Sequence, residues 1–159
     1  VRGNMSAGTL SEQQSRSMER VLKAALADSG ADAMAVCDMS GNVLAQQDRD
    51  GGRSLGNAAA LAAGAWAATR ALAELLDESA FRSIAYRGQK SGVMVHAIGK
   101  EHFILVITGQ DAIEGMVRLL VRRAVRQISG ILEGARDQTA EQGSEGVRFE
   151  VEERPDTGS

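Results

Sequence analysis

Two apolar runs with three residues between them constrain this chain more than any other feature. "GVMVHAI" occupies Gly92 to Ile98 and "HFILVIT" occupies His102 to Thr108, with only "GKE" in the gap. Both runs have strand length and are rich in β-branched residues, and a three-residue gap allows only antiparallel pairing. A third run, "FRSIAYR" at Phe81 to Arg87, is joined to them by "GQKS". The three together predict an antiparallel meander.

The remaining elements assemble around it. Met18, Leu22, Ala25 and Leu26 recur at helical spacing, so a first helix is predicted from Ser11 to about Asp28, stopped by Ser29-Gly30. "AMAVCDM" then reads as a buried strand, "SGN" as a turn and "VLAQQD" as the returning strand. After the loop "RDGGR", Ser54 is placed to cap a second helix that runs to about Leu76. A third helix is predicted from about Asp111 to Glu133, with Ile113, Val117, Leu120, Val121, Ala124, Ile128 and Ile131 as its apolar stripe. The order α-β-β-α-β-β-β-α makes a five-stranded antiparallel sheet flanked by helices, a single α+β domain.

Charge divides the chain unevenly. The net charge is −3. Residues 11–134 carry fourteen basic and fourteen acidic side chains, whereas residues 135–159 carry three against seven. The expected organisation is a flexible N-terminus at 1–10, the domain at 11–134 and an acidic, disordered tail at 135–159, polar and rich in breakers. Within the tail, "VRFEVEE" alternates like a short strand. An acidic total gives no reason to expect a nucleic-acid partner. One cysteine excludes an internal disulfide and a Cys-rich zinc site, which suits a reducing cytoplasm. The start has no apolar signal region. Arg70 and Glu74 argue against stable membrane insertion of the Ala-rich helix.

The sequence lacks phosphate-cradling, dinucleotide-binding, zinc-protease and serine-hydrolase motifs. His96 and His102 are isolated, Cys37 reads as a small core residue, and Asp38, Asp48 and Asp50 sit where turns need them. No catalytic residue, cofactor or metal is expected.

The second helix, "LGNAAALAAGAWAATRALAELL", has small apolar residues nearly all the way round. At about 100° per residue, Leu61, Ala65, Ala68, Leu72, Leu75 and Leu76 share one side, with Asn57 and Ala58 at its start. That side is expected to cover the chain's own sheet. Ala59, Ala62, Ala63, Trp66, Arg70, Ala73 and Glu74 are expected on or beside the other, as a dimer or partner interface. Small side chains let a partner approach, and Trp and Arg are enriched in binding hot spots. The bland alternative is that Trp66 tucks under a loop or the N-terminal segment.

These features together resemble the Roadblock (dynein light chain) domain family. The hairpin "AVCDMSGNVLA", the Ala-rich second helix and "GKEHFILVITGQDAIEGMVRLLVRRAVRQI" carry the resemblance, over about Ser11 to Leu132. Within the family, "SLGNAAALAAGAWAATRALAELL" and "GMVRLLVRRA" look most like the bacterial MglB polarity proteins, which are associated with motility. The resemblance implies a profilin-like or longin-like sandwich that homodimerises with its second helices side by side and its third strands paired. It also implies binding of a small Ras-like GTPase of the MglA type. The dimer would act as that enzyme's activating protein without supplying an arginine finger.

Arg118, Arg122 and Arg126 recur every four residues on the third helix, and Arg16, Arg20 and Lys23 do much the same on the first. Both stripes read as solvated faces, with a basic surface for an acidic partner or anionic membrane as the functional alternative. Three readings of function compete. One is a GTPase regulator. Another is an adaptor or scaffold with no effect on hydrolysis. The third, a small-molecule sensor, is disfavoured because five aromatics give little to line a pocket.

Overall fold

The computed structural model describes residues 10–145. The elements follow the predicted order: α1 (Glu12–Ser29), β1 (Ala31–Asp38), β2 (Val43–Asp48), α2 (Gly56–Leu75), β3 (Ser83–Arg87), β4 (Gly92–Ile98), β5 (His102–Thr108) and α3 (Glu114–Glu145). The strands form one antiparallel sheet in the order β2-β1-β5-β4-β3. β2 and β3 are therefore its edges.

Local chemistry sets most boundaries. Ser11 and Gln14 form a reciprocal capping box at the start of α1, and Gly30, at φ 72°, turns the chain out of it. In the β1–β2 turn, Asp38 Oδ1 accepts from the backbone N–H groups of Ser40 and Asn42, each at 2.9 Å. Gly41 takes φ 86°, a region that penalises any side chain with a Cβ.

Strand alternation sends residues to two separate cores. Met34, Val36, Ile104 and Val106 face α1 and α3, where they meet Met18, Leu22, Val117, Val121 and Ile128. Ala33, Ala35, Cys37, Phe103 and Leu105 face α2. β1 is buried almost throughout because helices cover both of its faces.

Three expectations need correction. Ser54 does not cap α2: the cap position is Leu55, which makes no side-chain hydrogen bond. Leu55 is instead 1% exposed within the α2 core, so burial anchors the start of the helix. Ile113 is 70% exposed rather than part of the α3 core stripe. Nor does α3 end near Glu133; it crosses the expected boundary at 134 and continues to Glu145. Leu132 and Ala135 are still buried there, and Arg136 reaches Glu101 at 3.5 Å, so tertiary contacts carry the helix past Gly134. Residues 135–145 are helical, not disordered. Of the flexible N-terminus expected at 1–10, residues 1–9 lie outside the described residues, as does the strand-like "VRFEVEE", while Leu10 is half-buried against the core beneath α1 and α3.

Candidate protein-docking face

α2 lies on its sheet the other way round from the expected orientation. Ala59, Ala62, Ala63, Trp66 and Ala73 are buried, and Trp66 is only 4% exposed. Of the residues expected at an interface, only Arg70 and Glu74 are exposed. The leucines expected to cover the sheet point to solvent: Leu61 is 77% exposed, Leu72 49%, Leu75 84% and Leu76 60%.

The reason is the shape of the sheet beneath. Ala33, Ala35 and Cys37 make a shallow floor, and the β1–β2 turn comes very close to the helix. A Cβ on Gly41 would stand 2.6 Å from Ala60 Cα. Only a face of alanines fits at that separation. Trp66 fills the remaining space beside Val95, Phe103 and Leu105, all in the same core. A leucine face would hold the helix off and open voids.

Leu61 and Leu75 stand at three-quarters exposure or more and Leu72 and Leu76 at about half or more, all on one side of α2; a contiguous apolar surface of this kind is a candidate binding face. A second feature lies on the same side of the sheet. β3 pairs only with β4, leaving its outer backbone edge open. The register sets Ile84 opposite Val95 and Tyr86 opposite Val93, and both of those β4 residues belong to the α2 core. Tyr86 is thus on the α2 side, and it is 54% exposed. An open edge with an aromatic beside it is a natural pairing surface.

The titratable groups have structural surroundings. Cys37 is fully buried, and burial, with Asp38 adding to it, pushes its thiol up to about 12. It is therefore a poor nucleophile. Asp48 accepts from the backbone N–H groups of Gly52 and Arg53, at 3.3 and 2.7 Å, and the Arg53 bond leads in holding its carboxyl below 3.8. His96 Nδ1 lies 2.9 Å from the Ala97 carbonyl. Burial lowers His102 below its usual 6.5, against opposing effects of Glu101 and Asp38. Among the described residues, no group of three or more His, Cys, Asp or Glu could hold a metal ion.

A cleft of about 470 Å³ lies between the β3–β4 turn and the start of α3. Met94 and Val117 are apolar parts of its lining, and the ion-paired Arg87 and Glu114 are charged parts. On α3, Arg118 donates to Glu114 from Nε and Nη2, at 3.2 and 2.8 Å. Among the described residues, no helix is long and apolar enough to cross a membrane.

One helix on one side of a five-stranded antiparallel sheet and two on the other define an α+β sandwich. The Roadblock/LC7 domain model matches residues 18–108, from the first core methionine of α1 to the end of β5. The chain belongs to the Roadblock/LC7 family.

Its fold is also that of solved MglB proteins. The gliding protein MglB of Thermus thermophilus is 29% identical with a TM-score of 0.74, over 79% of this chain and 96% of that one. A structure described as MglB with tetrameric arrangement is 29% identical with a TM-score of 0.75, over 80% and 96%. Myxococcus xanthus MglB is 23% identical with a TM-score of 0.73, over 80% and 96%, a likeness of fold. No match was found among curated proteins.

Proposed function

We propose that this chain is a homodimeric regulator of a small Ras-like GTPase of the MglA type. It accelerates that enzyme's GTP hydrolysis by positioning the enzyme's own residues. The observation that carries the reading is the leucine face of α2, exposed in a Roadblock chain whose structural neighbours include MglB. The proposed interface uses Leu61, Leu72, Leu75 and Leu76, with Arg70 and Glu74 at its margins and the β3 edge beside it. Two copies related by a twofold axis bury these surfaces against each other and leave a composite apolar platform for the GTPase. The tetrameric arrangement of one MglB structure supports self-association as a habit of the fold. With the chemistry residing in the partner, this chain needs positioning surface and no nucleophile.

Gel filtration with light scattering tests the reading. The protein is run alone, then with the host's MglA-like GTPase loaded with GDP or with a non-hydrolysable GTP analogue. A dimer that binds only the GTP form, followed by faster hydrolysis in a turnover assay, is the expected result. Leu75→Asp abolishes both effects while the chain stays folded. A dimer that ignores both nucleotide forms overturns the regulator reading in favour of the adaptor.

A further inference from the structure

The side of the molecule opposite α2 carries a different kind of surface. From Gly115 to Leu132, α3 has four arginines and no Asp or Glu in eighteen residues. Arg118 is held by Glu114. Arg122, Arg123 and Arg126 are exposed and make no ion pair among the described residues. Between them and the start of the helix are two apolar side chains turned outward, Met116 and Leu119, each 44% exposed. At 100° per residue, Met116, Leu119, Arg122, Arg123 and Arg126 form one continuous patch about three turns long. The next acid along the helix, Glu133, lies about 10 Å beyond Arg126. α1 packs beside α3 in the same layer and adds Arg20 and Lys23, against Glu19.

We propose that this patch docks the protein on an anionic phospholipid bilayer. Free arginines suit phosphate because the guanidinium binds it through two parallel hydrogen bonds. Methionine and leucine interleaved with those arginines suit shallow insertion at the headgroup boundary, a combination typical of helices that lie on a membrane. Single-stranded nucleic acid would call for aromatic stacking surfaces, and the exposed aromatic Tyr86 lies on the opposite side of the sheet. Because α2 covers the other face, the docked molecule keeps its leucine surface free. The inference therefore stands independently of the GTPase reading.

Vesicle co-sedimentation of the full chain is the test, with phosphatidylcholine alone or with roughly 30% phosphatidylglycerol. Binding is expected only to the anionic vesicles, and it should be lost on raising salt from about 0.1 M to about 1 M. The triple variant Arg122→Glu, Arg123→Glu, Arg126→Glu should bind at least about tenfold more weakly. The milder Arg→Gln triple should lie between it and the parent, and circular dichroism should show both folded. Lys100→Glu, in the exposed β4–β5 turn away from the patch, should bind as the parent does. Equal binding to neutral and anionic vesicles overturns the proposal. So does a triple Glu variant that binds normally, an equal loss of binding in Lys100→Glu, or no vesicle binding by a chain that instead pairs with an acidic protein.

Discussion

Truncating Trp66 to alanine is a direct test of how α2 is seated. The side chain is 4% exposed and packs with Val95, Phe103 and Leu105 in the α2 core. Removing a buried aromatic of this size costs about 3–5 kcal/mol, because lost transfer energy and a residual cavity add. A domain of this kind is stable by about 5–15 kcal/mol in all. With a urea m-value of about 2 kcal/mol/M, the midpoint should fall by about 1.5–2.5 M. Leu75→Ala is the matched control. At 84% exposure it removes no packing from the single chain, so its intrinsic effect should stay within about 0.5 kcal/mol. Unfolding should be followed by circular dichroism at two protein concentrations. The Trp66 loss should be the same at both, whereas in the proposed dimer any loss from Leu75→Ala acts through self-association and should depend on concentration. A Trp66→Ala protein as stable as its parent, beside a Leu75→Ala protein weakened equally at both concentrations, would refute the reasoning and turn the helix over.

Three further outcomes follow from local geometry. Gly41→Ala should cost more than about 2 kcal/mol, since it combines a left-handed backbone with a Cβ driven into Ala60; Gly51→Ala, at φ 73° with nothing within 4 Å, should lose only the backbone part in the same denaturation assay. His102 binds its proton more weakly folded than unfolded, so parent stability should rise with pH from its lowered folded value up to 6.5; urea midpoints of His102→Gln across that window should lack the rise. Cys37, with its thiol pushed up to about 12, should resist a thiol reagent at mildly alkaline pH until the chain is unfolded; prompt labelling of the native protein would show the strand to be open.

Much of the fold was legible because its signals are local. The gaps after Arg87 and Ile98 allow only hairpins, the Asp38-to-Gly41 turn carries its own hydrogen bonds, and the spacing of Met18, Leu22, Ala25 and Leu26 announces α1 before Gly30 ends it. The core stripe of α3 from Val117 to Ile128 could be read from its period. Ser54 misled because a serine before a helix is a good cap by type, yet burial of Leu55 decides where this helix begins. The far end of α3 misled because Gly134 and a polar stretch look like a stop. The contacts of Leu132, Ala135 and Arg136 override that local preference.

The candidate site divides along the same line. Sequence by itself determined that the second helix has more apolar surface than one sheet can cover. It determined the order of the strands along the chain and the two sets of residues on opposite faces of each. Which face of α2 goes inward was decided only by the assembled sheet. Periodicity gives the angle between residues around a helix, but a helix apolar on nearly every side offers no contrast to choose by. The shallow floor of Ala33, Ala35 and Cys37, and the close approach of Gly41 to Ala60, are products of strands distant in sequence. Steric fit at that contact, a property of two surfaces together, puts the alanines and Trp66 inside and leaves the leucines out.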